Sequence, residues 1–234
     1  MTPDPRPLRL ALFDLDHTLL PLDSDYEWGE FTIRIGWNDP VEFARRNDEF
    51  YAHYQAGTLD VHDYVRFATE AVRQRGPEAA SAAHAQFMRE VIGPAIRPQA
   101  LELVRSHQAA GDTVLIVTAT NEFVTRPIAR ALGVGDEALL AVQLVRDPHT
   151  GWYTGEIDGV PTMREGKVRR MEQWLAERQR SWADVQSTFY SDSMNDVPLL
   201  EKVNHPVATN PDPRLRALAQ ERGWRILDLF NTHP

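Results

Sequence analysis

A short apolar run that stops abruptly in acid limits what this chain can fold into more than any other stretch. Leu10-Ala11-Leu12-Phe13 reads as a buried strand. Asp14-Leu15-Asp16-His17-Thr18 follows it. Side chains alternate along a strand, so Asp14 and Asp16 share a face if the extended geometry continues. Alternatively, the second acid rides on the turn that follows. Two acids at the mouth of a buried strand are costly unless a cation or hydrogen-bond donors meet them. Oxygen-only ligands suit a hard cation such as Mg2+. Thr18 can pin the turn through its hydroxyl. Taken alone, the stretch also reads as a strand with a capped turn and two solvated acids.

Two more apolar runs end in polar residues. Val114-Leu115-Ile116-Val117 is continuous, as in a sheet covered on both faces, and ends in Thr118-Ala119-Thr120-Asn121. Ser187-Thr188-Phe189-Tyr190 ends in Ser191-Asp192-Ser193-Met194-Asn195-Asp196. From about residue 96 strands and helices alternate. Helices are expected over Gln99 to Ala110, from Asn121 to about Leu132, over Lys167 to Arg178, around Pro198 and from Asp212-Pro213. Further strands are expected over Leu139 to Val145, Trp152 to Ile157, His205 to Ala208 and Trp224 to Leu227, with Asp147 to Gly151 as a polar turn. The pattern predicts an α/β fold: a Rossmann-like, mostly parallel sheet with helices on both faces. In such sheets the carboxyl ends of the strands share one edge, where ligands bind. Asp14, Asp16, Thr118, Asp192 and Asp196 are therefore expected at one site, with Lys167 starting a helix that can bring positive charge.

Residues 21–95 contain no convincing strand. Asp39-Pro40 opens a helix to about Ala56, as an N-cap followed by a first-turn proline. Asp60 caps the next helix, with Val61, Tyr64, Val65, Ala68 and Val72 at helical spacing. Gly76-Pro77 punctuates, and Ala79, Ala80, Ala83, Phe87 and Val91 form another apolar face before Gly93-Pro94. The division expected is a core of residues 1–20 and 96–234 with an all-helical cap, 21–95, inserted after the first strand.

Charge and composition remove some functions. A hydrophobic content of 42 % suffices for a real core. No apolar run approaches the roughly 20 residues of a membrane span. The net charge of −9 argues against a general nucleic-acid surface and requires any phosphate site to be locally positive. With no cysteine, disulfides, thiolate zinc sites and cysteine nucleophiles are excluded. Met1 to Pro7 lacks the apolar core of a secretory signal and reads as a disordered lead-in, so a cytoplasmic protein, monomer or homodimer, without a membrane or nucleic-acid partner is expected.

The order of these segments resembles the four motifs of the haloacid dehalogenase-like phosphohydrolases. Asp14-Leu15-Asp16-His17-Thr18 is similar to motif one, Thr118 to motif two, Lys167 to motif three and Asp192-Ser193-Met194-Asn195-Asp196 to motif four. The helical insert is similar to the C1-type cap of the phosphoserine phosphatase-like branch (subfamily IB). Gly166-Lys167-Val168 and Asn210-Pro211-Asp212-Pro213-Arg214-Leu215-Arg216 also resemble a bacterial subgroup, some relatives of which hydrolyse histidinol phosphate.

The resemblance implies a Mg2+-dependent phosphomonoesterase. In it Asp14 is the nucleophile and forms an aspartyl-phosphate, and Asp16 is the general acid and base. Mg2+ is held by Asp14, the Asp16 carbonyl and Asp192, with Asp196 completing the acidic site directly or through water. Thr118 and the Ala119 N–H hold phosphate oxygens, Lys167 offsets charge, and Asn195 orients Asp196 or touches phosphate. Asp23 stands where phosphoserine phosphatases carry an acid that meets the substrate amine, so the expected partner is a small phosphorylated amino alcohol or amino acid. Phosphoserine and histidinol phosphate are the two candidates. Thr118-Ala119 in place of Ser-Gly, and Ser191 and Ser193 in place of glycines, depart from the phosphoserine pattern. The alternatives are a phosphatase of broad specificity, a phosphotransferase, or a non-catalytic phosphate-binding module. A dehalogenase is disfavoured, because that branch lacks the second acid supplied here by Asp16. His17 reads as a loop residue, Trp28, Phe31, Phe43, Phe50 and Tyr54 as cap packing, and Arg45 and Arg46 as a solvated helix face.

Overall fold

A computed structural model describes residues 7–230. The lead-in read at Met1 to Arg6 lies outside the described residues. The chain alternates as the apolar runs require. It begins with β1 (Leu8–Phe13) and then turns into four helices: α1 (Ser24–Arg34), α2 (Pro40–Ala56), α3 (Val61–Ala68) and α4 (Glu70–Phe87). A π-helical turn, Met88–Ile92, and a short α5 (Gly93–Ala95) lead back through α6 (Pro98–Ala109) to β2 (Thr113–Asn121) and α7 (Glu122–Ala131). Then come β3 (Leu139–Val142), β4 (Leu144–Arg146), β5 (Tyr153–Ile157), α8 (Glu165–Glu177) and β6 (Val185–Ser191). The chain closes with α9 (Val197–Leu200), β7 (His205–Thr209), α10 (Pro213–Arg222) and β8 (Arg225–Leu227).

Six strands form one sheet in the order β3-β2-β1-β6-β7-β8, and every pairing in it is parallel. Strand alternation sorts the core into two layers. Ala11, Phe13, Val114 and Ile116 point to the side covered by α4, α6 and α7. Leu10, Leu12, Leu115 and Val117 point to the side covered by α8, α9 and α10. β1 is central, so both of its faces are buried, and Asp14 emerges where its pairing with β2 and β6 ends. Among the described residues no helix is long and apolar enough to cross a membrane.

Three local expectations change. The run from Val61 to Val72 splits at Thr69, whose hydroxyl donates to the Val65 carbonyl (2.6 Å) and closes α3. The strand expected over Leu139 to Val145 divides at Gln143: β3 joins the main sheet, whereas β4 pairs antiparallel with β5 as a separate hairpin. That hairpin packs on the inserted helices, with Trp152 Nε1 donating to the Val72 carbonyl (3.2 Å). The sequence pattern marks no separate helix over α1, because its first turn carries acids in place of an apolar stripe: Asp23 is its N-cap, accepting from the N–H groups of Asp25 (3.0 Å) and Tyr26 (2.9 Å). As expected, Gly76 breaks the next helical stretch (φ 79°).

Candidate active site

The carboxyl ends of β1, β2 and β6 meet as the parallel order requires. Asp14 is buried, and its N–H donates to the Tyr190 carbonyl (2.9 Å), which fixes the backbone that presents its carboxylate. Lys167, on the first turn of α8, donates from Nζ to Asp14 Oδ1 (2.7 Å) and to Asp196 Oδ2 (2.6 Å). Ser191, the last residue of β6, donates to the same Asp196 oxygen (2.7 Å). One buried ammonium is thus shared by two carboxylates. Burial pulls the Lys167 pKa down, but the charges of Asp14 and Asp196 outweigh it and raise the value overall, so Lys167 stays charged.

Thr18 joins the other side of the site. Its hydroxyl donates to Asp192 Oδ1 (3.1 Å), lies 3.5 Å from Asp14 Oδ2, and accepts from the Asp192 N–H (3.1 Å). Asp16 stands apart from this cluster. Its two oxygens accept from the Ser24 N–H and the Thr120 hydroxyl, each at 2.8 Å. Burial, then the charge of Asp23, pushes the Asp16 carboxyl up to about 6, with Ser24 and Thr120 opposing the rise. Burial also raises Asp196 to about 6 despite Lys167, and lifts Asp14 and, well above the carboxylate range, Asp192. Four acidic side chains meet one ammonium, more acid than the site's own cation can neutralise.

A bound cation would offset that imbalance. Among the described residues no three acids or imidazoles close into a ready-made ligand cage. Mg2+ needs no such cage, since it is held by one or two carboxylates together with waters and phosphate oxygens. Asp14 and Asp192, both turned to the Thr18 hydroxyl, form such a pair of all-oxygen donors.

The inserted helices roof this edge. The cavity above Asp14 and Asp16 is lined by Asp23 and Asp25 from the start of α1, by Phe50, Tyr51 and Tyr54 from α2, by Tyr64 from α3, and by Thr118 and Ala119. Among the described residues no lysine or arginine lines it. Asp25 is buried and accepts from Asn121 Nδ2 (3.3 Å). Burial, then the charge of Asp23, raises it to about 8, while the Tyr64 hydroxyl works the other way.

The sequence profile of the haloacid dehalogenase-like hydrolases matches residues 11–201. The chain belongs to that family. Within this hydrolase family it falls in the phosphoserine phosphatase-like branch. It is 41 % identical over 220 residues to a histidinol-phosphatase of Neisseria meningitidis serogroup C, covering 94 % of this chain and 98 % of that protein. It is 33 % identical over 225 residues to a phosphoserine phosphatase of Mycobacterium tuberculosis, covering 93 % of this chain and 70 % of that protein. A solved structure from Bordetella pertussis Tohama I, of a protein described as of unknown function, superposes with a TM-score of 0.89 at 51 % identity, over 96 % of this chain and 100 % of that one. The family and these relatives make the chain an enzyme of the phosphatase kind.

The hydrolase fold brings Asp14, Asp16, Thr118, Ala119, Lys167, Asp192 and Asp196 to one sheet edge. Asn195 lies beside them, but its amide engages the cap: Nδ2 donates to the Tyr54 carbonyl (3.0 Å) and Oδ1 accepts from Arg164 Nε (3.3 Å). Asp23 lines the cavity while one of its oxygens caps α1. Phe50 and Tyr54 face the cavity as well, whereas Trp28, Phe31 and Phe43 are packing residues as expected. His17 does more than shape a loop: it holds a left-handed φ of 56° and lines the cavity. Ser191, Thr120, Asp25 and Arg164 had no assigned role in the sequence. Ser191 and Thr120 stand inside motif-like segments, whereas Asp25 and Arg164 carry no sequence signal beyond their charge.

Proposed function

We propose that this hydrolase is a Mg2+-dependent phosphomonoesterase that works through an aspartyl-phosphate on Asp14. The observation that carries the reading is the Lys167 ammonium held against both Asp14 and Asp196. It opposes the rise that burial imposes on the Asp14 carboxyl and favours its ionised form, in which an Asp14 oxygen can attack phosphorus. Thr118 and the Ala119 N–H take phosphate oxygens, with the Thr118 hydroxyl oxygen itself set by the Thr120 N–H (3.1 Å). Asp16 lies in the cavity with its carboxyl raised to about 6, so a protonated fraction can donate to the leaving oxygen. The resulting Asp16 carboxylate then takes a proton from the water that hydrolyses the aspartyl-phosphate, returning Asp14. Asp14, Asp192 and the Asp16 carbonyl would hold Mg2+, with Asp196 completing the acidic site. When bound, the metal neutralises charge that builds on the phosphoryl oxygens.

The substrate we infer is a small phosphorylated amino alcohol with no carboxylate. Asp23 and Asp25 face the cavity with aromatic rings around them, and among the described residues no lysine or arginine lines it to meet a carboxylate. This favours a histidinol phosphate-like ester over phosphoserine. The test is phosphate release with Mg2+ from histidinol phosphate, O-phosphoserine, sugar phosphates and nucleotides, with Asp14→Asn as the blank. Histidinol phosphate should lead in kcat/KM. Preference for phosphoserine would overturn the substrate reading, and release no faster than the blank would overturn the activity.

A further inference from the structure

Two short segments each send one arm to the roof and one to the reacting centre. The loop before α8 places Arg164 against the C-terminal end of α2, where its guanidinium donates to the Gly57 carbonyl. The residue three positions on, Lys167, reaches Asp14 and Asp196. The turn after β6 does the same with adjacent residues: Asn195 donates to the Tyr54 carbonyl, and Asp196 receives Lys167. Arg164 and Asn195 are joined to each other (3.3 Å). The four side chains form a closed figure, with the roof at one end and the ammonium–carboxylate contact at the other.

The backbone is built for this contact. Arg164 holds a left-handed φ of 53°, a conformation that L side chains disfavour and that persists only where the surroundings over-determine it. Its own carbonyl accepts from the Lys167 N–H (3.0 Å), and Gly166, where a Cβ would collide with the Pro161 carbonyl, keeps the loop tight. On the roof side Gly57 ends α2 with a φ of 71°, and a Cβ there would collide with the Arg164 guanidinium. A cation at a helix C-terminus meets carbonyls that have no partner within the helix. α2 also carries Tyr51 and Tyr54 over the site.

The geometry points to Arg164 as a positioning residue that couples docking of the helical roof to the placement of Lys167 and Asp196. With the roof docked, Arg164 and Asn195 brace the two segments, and the ammonium is held where it serves Asp14. With the roof lifted, both segments lose their outer contact. The catalytic half of this inference rests on the phosphatase reading above; the structural half does not.

The experiment compares the parent protein with Arg164→Ala and Arg164→Lys, by hydrogen exchange and by turnover. Exchange is read at the amides of Gly57 and Thr58 on the roof, and of Lys167 and Asp196 at the centre. Turnover is read on p-nitrophenyl phosphate, which has no amine for the roof to recognise. Arg164→Ala should speed exchange at both pairs and lower kcat by about 10-fold or more with KM little changed. Arg164→Lys should restore exchange at Gly57 and Thr58, because it returns a cation to the helix end, while leaving kcat low because it loses the fork to Asn195. Faster exchange on the roof alone, with Lys167 and Asp196 unmoved, would reduce Arg164 to a helix cap and overturn the coupling. A kcat within twofold of the parent would overturn it too. A parent protein that releases no phosphate would sink the phosphatase reading and leave the exchange pattern to decide the coupling.

Discussion

The sheet edge and the helical roof meet the same ligand cavity but are assembled by different physics. At the edge, each polar residue sits where an apolar strand runs out, and buried pairing on both sides fixes its backbone. Lys167, Asp14 and Asp196 are held by charge-assisted bonds of 2.6 and 2.7 Å between buried side chains. In the roof, the acids stand at a helix start, and the aromatic rings come from helix faces that are only half buried. On the reading proposed above, the edge serves the chemistry and the roof the choice of substrate. Damage to the edge should remove turnover from every substrate; damage to the roof should change which substrate is favoured.

Lys167→Met is the most severe break of that division. It leaves Asp14 and Asp196 facing each other without a counter-ion, so kcat should fall ~10²–10³-fold on amine-bearing and plain phosphates alike. Stability should drop by about 3–5 kcal/mol, as expected when one partner of a buried ion pair is removed. A denaturant titration and two substrates check both halves, and a loss confined to one substrate would erase the distinction between the regions. Asp25→Asn is the corresponding change in the roof. A charged hydrogen bond to an ammonium contributes about 1.5–3 kcal/mol, so KM for an amino phosphate should rise ~10–100-fold, with p-nitrophenyl phosphate unaffected. Equal loss on both substrates would move Asp25 from recognition to the chemistry.

The same residue sharpens the comparison through pH. Burial raises Asp25 to about 8, so the folded state holds its proton more tightly than the unfolded chain does. Its contribution to stability is full below the ordinary value of 3.8 and is lost as pH rises toward about 8. The Tm of Asp25→Asn should accordingly gain on that of the parent between pH 5 and pH 8, by ~2–4 °C for each kcal/mol recovered. A gap that does not change with pH would show that Asp25 is charged in the folded protein throughout. The smallest effect belongs to Asp23→Ala, which removes the N-cap of α1 and should cost ~1 kcal/mol of stability. If it also raises KM for amino phosphates as much as Asp25→Asn does, the two acids recognise the substrate together.

What the sequence determined by itself is the sheet and the acids at its edge. Leu10 to Phe13 and Val114 to Val117 are apolar on both faces, and a parallel sheet covered by helices is the arrangement that buries both. That order brings Asp14, Thr118, Asp192 and Asp196 together whatever the loops do. The tertiary structure decided the rest. Ser191 is one hydroxyl among several until β6 places it on Asp196, and Arg164 reads as surface charge until α2 ends beside it. Asp25 reads as solvated until α1 turns it into the cavity. Local pattern registers which side chains leave water, because burial repeats along a strand or helix. It carries no record of which distant polar groups meet, because such contacts have no period and depend on how the helices dock over the sheet.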